Sequence, residues 1–257
     1  MTYCLGIITR EGLVLAADCR TNAGYDQANI SRKLHPFVIP GQRVIVTLTS
    51  GSLSCSQSVI TLLQRDFAAG RGLAAVDNMY DAARVVGEQV RRVAEQDRAS
   101  LERDNQQFNV HFILGGQIGR EPPDLYLIYP QGNPLRASEE SPYLQIGESK
   151  YGRPILDRGV RFVATSLTQA VKYALISLGS TMRSNVAVGP PVDMAVYYAD
   201  SLQLEHLRRF ETEDRDFQRM QDQWDAALRQ AVRDLPEVTL LRQAKGRSAA
   251  RPSRPQT

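Results

Sequence analysis

The chain has 257 residues, 42% of them hydrophobic and 23% charged, a composition that excludes disordered and fibrous classes and leaves room for one large domain or two small ones. The formal charge is only +3, and much of the excess lies in Arg242, Lys245, Arg247, Arg251 and Arg254, so no basic nucleic-acid-binding face is implied. No apolar run is long enough to span a bilayer and no signal-peptide pattern opens the chain, so the reading is of a cytoplasmic protein with no membrane partner.

The first fifty residues read as β. Residues 2–9 are β-branched and apolar, Arg10-Glu11-Gly12 makes a turn, and residues 13–17 form a second buried strand ending at Asp18. The pair is expected to form a hairpin that sets Thr2 near the far end of its partner strand. Residues 37–39 and 44–49 repeat the pattern around a Pro40-Gly41 turn. The period then becomes helical over 53–67, where Val59, Leu62, Leu63 and Phe67 recur, with Ser52 or Ser54 as N-cap. A longer helix is expected over 75–99, with Met79, Ala82, Ala83, Val86, Val90 and Val93 on one face.

A second β block follows at 110–115, 124–129 and 143–146, then a helix over 166–178 and a strand over 192–198. Strands and helices are grouped rather than alternating, which points to an α+β fold with two sheets between helix layers. Residues 202–235 are charged and helix-prone, marked by Phe210, Phe217, Trp224, Leu228 and Val232. Such a face either packs on its own core or contacts a neighbouring subunit. The chain thus divides into a domain over 2–200, a charged helical extension over 201–240 and a disordered tail over 241–257.

Cys4, Cys19 and Cys55 are odd in number and lack metal-type spacing, and His35, His111 and His206 stand apart from them, so neither a metal site nor a disulfide framework is expected. Nothing calls for a cofactor. Thr2 is the informative residue. Once Met1 is removed, it carries a hydroxyl and a free α-amine together, a nucleophile and its base on one residue. Three further pieces accompany it: Asp18 through Gly24 after the second strand, Lys33, and Ser50-Gly51-Ser52 ahead of the first helix. Taken singly, Asp18 and Lys33 read as an ion pair and Gly51 as a turn glycine; their joint presence behind Met-Thr favours a site. Lys33 beside the hydroxyl would stabilise the alkoxide, with Asp18 as its counter-charge, and the Gly51 N–H would face the oxyanion. Cys4 and Cys19 flank these groups in apolar strand context and read as buried structure.

This constellation resembles the proteasome β-type N-terminal nucleophile hydrolases. The Met-Thr-Tyr-Cys start, the Thr21-Asn22-Ala23-Gly24 run and the segment from Met182 to Pro191 are similar to one branch, Anbu, the bacterial ancestral-β-subunit family. The resemblance implies a four-layer α-β-β-α sandwich with an added C-terminal helical segment. It also implies a threonine peptidase or amidohydrolase working through an acyl-enzyme on Thr2. The implied site is Thr2, Asp18, Lys33, Gly51 and Ser149, and the implied particle a ring-like or open helical homo-oligomer.

The family's Gly-Ser-Gly turn, which orders the amine, corresponds to Gly147-Glu148-Ser149, so either Glu148 or Ser149 stands in that place. Its Asp and Ser after the third helix align with Ser184 and Ala187, and its substrate-binding Thr with Asn22, next to Thr21. No Walker-type loop is present, so any ATP-driven unfolding would come from a separate partner. The competing reading is a self-assembling scaffold or binding subunit of the same fold without turnover.

Overall fold

The computed structural model describes residues 2–22 and 28–238, without the side chains of residues 22, 28 and 29. Strands β1 (Tyr3–Thr9) and β2 (Gly12–Asp18) form the expected hairpin, with Thr9 opposite Gly12 and Cys4 opposite Ala17. A short ribbon follows, β3 (Arg20–Asn22) against β4 (Ala28–Ile30). Strands β5 (Leu34–Ile39) and β6 (Arg43–Gly51) lead into helix α1 (Leu53–Ala68) and helix α2 (Met79–Arg103). Then come β7 (Val110–Ile118), β8 (Asp124–Ile128), β9 (Pro134–Arg136) and β10 (Tyr143–Gly147). Helices α3 (Arg153–Gly159) and α4 (Leu167–Ser184), strands β11 (Val192–Tyr198) and β12 (His206–Phe210), and helix α5 (Arg215–Asp234) complete the described chain.

The strands make two antiparallel five-stranded sheets, ordered β10-β1-β2-β11-β12 and β5-β6-β7-β8-β9. Side-chain alternation explains the layering. From β1 and β2, Leu5, Ile7, Val14 and Ala16 pack with Ala174 and Leu178 of α4, while Cys4, Leu13, Leu15 and Ala17 pack against Val44, Val46, Leu48 and Ile113 of the second sheet. On that sheet, Ile45, Phe112 and Leu114 face Val59, Val86 and Val90 of α1 and α2. Three apolar seams therefore join four layers, α-β-β-α. Both central strands of the first hairpin are buried along their whole length, so they read as continuous apolar runs rather than as alternating ones.

Several expectations are corrected. Helix α2 begins at Met79, because Asn78 caps it by accepting from Asp81 N, and a 3₁₀ turn at Gly72–Ala74 takes up the preceding residues. Ser52 does occupy the N-cap position of α1, but its hydroxyl pairs with Ser54 rather than with the helix amides. Helix α3 and strand β9, both short, were not foreseen. The helix expected from residue 202 gives way to β12, and α5 starts only after Asp214, whose carboxylate accepts from Phe217 N. Strand β12 is a sheet edge carrying His206, Arg208 and Arg209, and charge on an edge blunts pairing with other chains while imitating a solvated helix. The tail expectation over 241–257 and the fate of Met1 lie outside the described residues.

Candidate active site

Thr2 stands one residue ahead of β1, in the interior of its sheet, and is buried. Its carbonyl accepts the Glu148 N–H at 2.7 Å, one rung beyond the Tyr3–Gly147 pair. The backbones meet so closely at that point that a Cβ on Gly147, at φ +84°, would lie 1.9 Å from the Thr2 carbonyl oxygen. Gly147 is therefore obligatory for seating the nucleophile candidate.

Asp18 closes β2 with no exposed surface. Its Oδ1 accepts from Tyr3 N at 2.9 Å and from the Lys33 ammonium at 2.7 Å, and its Oδ2 from Gly189 N at 3.3 Å. Lys33, 3% exposed, also donates to the Arg20 carbonyl at 2.6 Å. One carboxylate thus ties together the residue after Thr2, the buried cation and the loop after α4. Burial pushes the Asp18 carboxyl upward, and the Lys33 charge with the Tyr3 and Gly189 amides opposes it.

The neighbouring thiols do not compete as nucleophiles. Burial raises Cys4 well above the ordinary thiol range, and burial followed by the Asp193 charge pushes Cys19 up to about 12. Cys4 Sγ donates to the Thr49 carbonyl, and Cys19 Sγ to Asp193.

Thr2 opens on a cleft of about 840 Å³ whose walls include Thr21, Ser50, Gly51, Leu53, Asn109, His111, Tyr129 and Glu148. Gly51 takes φ +99°, and a Cβ there would sit 2.0 Å from the Asn109 carbonyl oxygen. The position is a glycine for a backbone reason, and it turns the end of β6 into the start of α1 at the edge of the cleft. Thr2 and Gly51 share the cleft, and Asp18 joins Lys33 to the amide next to Thr2.

Ser149 is not among the residues lining the cleft; its N–H donates to the Gly147 carbonyl and its own carbonyl accepts from Arg153 N at the start of α3. Of the two residues left open for that place, Glu148 is the one that lines the cleft, and its N–H is the one bonded to the Thr2 carbonyl. Its carboxylate accepts from Asn185 Nδ2 at 2.9 Å and lies 3.6 Å from Lys150 Nζ. Asn185 stands between Ser184, the last residue of α4, and Ala187, whose N–H donates to Asn185 Oδ1. Sequence reasoning missed Asn185, because nothing local signals a contact across 37 residues. The Asn22 side chain lies outside the described residues. Among the described residues no group of three or more His, Cys, Asp or Glu is arranged to hold a metal, and no helix is long and apolar enough to cross a membrane.

Comparison with known proteins places this chain in a family. The family model described as proteasome subunit matches residues 2–197. The proteasome subunit beta of Haloferax volcanii is 26% identical over 212 residues, covering 82% of this chain and 79% of that one. Among solved structures, Anbu (ancestral beta-subunit) from Yersinia bercovieri is 41% identical, covers 93% of this chain and 99% of its own, and superposes with a TM-score of 0.86. The helical assembly of the Anbu complex from Pseudomonas aeruginosa is 45% identical, with 92% and 98% coverage and a TM-score of 0.87.

Proposed function

The chain belongs to the proteasome subunit family, in its Anbu branch, and from that premise we propose that it is a threonine-type peptidase or amidohydrolase whose nucleophile is Thr2 after loss of Met1. The observation that carries the reading is the buried Lys33 ammonium held by Asp18, whose same oxygen also anchors the amide next to Thr2. A lysine this enclosed is costly unless it is paired, and its partner Asp18 fixes it one residue from the hydroxyl that can carry its own base, through the Tyr3 amide.

The proposed sequence follows from these groups. The neutral α-amine of Thr2, through a water, takes the hydroxyl proton as Oγ attacks the substrate carbonyl carbon. Lys33 stabilises the forming alkoxide, and the Gly51 N–H faces the tetrahedral oxyanion at the start of α1. Collapse breaks the C–N bond, the amine nitrogen leaves with the transferred proton, and an ester remains on Thr2. Water then attacks that ester by the same route and restores the hydroxyl. Lys33 also holds the α-amine toward its neutral form, which it needs in order to act as base. In this scheme Glu148, not Ser149, is the side chain beside the amine.

Self-assembly completes the proposal. The Pseudomonas aeruginosa relative is a helical assembly, and α5 offers a surface for the same arrangement here. Helix α5 holds to α4 through Gln221, whose Nε2 donates to the Leu175 carbonyl, and through the Arg183–Asp225 ion pair; farther along, Leu228 and Val232 are exposed one turn apart. Hydrolysis of amide-linked reporters by the assembled native protein, absent in Thr2→Ala at equal assembly, tests the enzymatic reading. Equal turnover in the variant would refute it. A native assembled protein that turns over no amide supports the scaffold reading instead.

A further inference from the structure

Among the described residues that line the cleft beside Thr2, Glu148 is the one with a charged side chain. The other polar walls are hydroxyls, amides and the His111 imidazole. Burial lowers the pKa of that ring, which favours its neutral form. Lys33 is not in the lining, and its charge is matched by Asp18.

Glu148 is built into place rather than loosely present. Its side chain is 10% exposed, and Oε2 accepts from Asn185 Nδ2 at 2.9 Å. The Asn185 amide is oriented by the Ala187 N–H on its oxygen, and the same loop is tied to β3 by Arg20, which donates to the Val186 carbonyl at 2.7 Å. Side chains locked by a second set of contacts are the ones that recognise a ligand with precision. The only cation near the carboxylate among the described ion pairs is Lys150, 3.6 Å away and 68% exposed, with its ammonium also lying over the Tyr151 ring at 5.2 Å. With so exposed a partner, and with the Thr2 amine neutral as the scheme above requires, most of the Glu148 charge is left unmatched. Tyr129, on the wall of the same cleft, adds an aromatic ring, a second kind of group that attracts cations.

We propose that the cleft selects amide substrates bearing a positively charged side chain, lysine or arginine, next to the bond to be cut, with Glu148 as the specificity residue. The inference rests on the hydrolase reading above and adds its substrate class. A partly enclosed carboxylate attracts a cation more strongly than an exposed one and repels a second carboxylate in the same way.

The test uses internally quenched peptides identical except for lysine, arginine, norleucine or glutamate on either side of the scissile bond. The native assembled protein is expected to cleave the lysine and arginine peptides with kcat/KM about tenfold above norleucine, as for one well-formed charge contact, and to disfavour glutamate further. Glu148→Gln collapses that ratio, and Glu148→Lys turns it toward glutamate. Equal cleavage of lysine and norleucine peptides by the native protein would overturn the proposal. So would a Glu148→Gln effect of the same size on every peptide, which would assign Glu148 to the Thr2 amine alone. Binding of the same sequences, carrying the fluorophore without the quencher, to the Thr2→Ala protein, read by fluorescence anisotropy, needs no turnover. Tighter binding of the cationic peptides supports the proposal even where nothing is cleaved, a result that sinks only the hydrolase reading; equal binding contradicts it.

Discussion

At the scale of single residues, the central feature is a buried cation held by the carboxylate that also anchors the amide next to Thr2. Lys33→Ala strands the Asp18 carboxylate without its partner and is expected to destabilise the fold by roughly 3–5 kcal/mol, the usual cost of halving a buried pair. The double variant Asp18→Asn with Lys33→Met removes both charges and should recover most of that loss in urea unfolding, yet remain unreactive toward threonine-directed electrophiles. A double variant that reacts at the native rate would show that the pair serves stability alone. Thr2, Asp18, Lys33 and Gly51 could be proposed from the sequence because each sits at a strand or turn boundary whose local pattern can be read. Ser149 lies outside the lining of the cleft, and Asn185 was not foreseen. The rung that selects Glu148 comes from the β1–β10 pairing of residues some 145 apart, by a hydrogen bond that no local period encodes.

At the scale of elements, the strand pair β11–β12 is joined by a charged contact that makes a separate prediction. Arg209 donates from Nε to Asp193 Oδ1 at 2.7 Å and from Nη2 to Oδ2 at 2.8 Å. Burial pushes the Asp193 carboxyl up, but the Arg209 fork and the Cys19 thiol outweigh it and hold the group below the usual carboxylate range. A carboxyl depressed in the folded state contributes stability above its unfolded pKa, about 3.9, and loses it as pH falls through the folded value. Urea midpoints of the native protein should therefore fall as pH drops below about 4, and Asp193→Asn should start lower at pH 7 and fall less steeply. Parallel slopes would contradict the assignment. The same element shows where sequence patterning failed: β12 pairs on one side only, so its charges resemble those of the helix that follows. The long elements α1, α2, α4 and β11 were legible because their apolar periods persist over several turns or a whole buried strand, whereas α3 and β9 are too short to establish one.

At the scale of the whole molecule, the grouped order of strands and helices was sufficient for two sheets between helix layers, and the three apolar seams explain why. The inner faces of both sheets are as apolar as the faces under the helices, so the sheets must cover each other. Helix α5 extends this logic outward, since Leu228 and Val232 are half or more exposed on a helix otherwise fixed to α4. Replacing both with glutamate should shift the particle toward smaller species in analytical ultracentrifugation while leaving the circular dichroism of the subunit intact; an unchanged particle would move the contact elsewhere. The central claim concerns Thr2 itself, and intact mass after exposure of the assembled protein to a peptide epoxyketone or a β-lactone tests it most directly. The expected result is a chain lacking Met1, one adduct per chain mapping to Thr2, and no adduct in Thr2→Ala. A native chain that retains Met1, or one that stays unlabelled while folded and assembled, would contradict it.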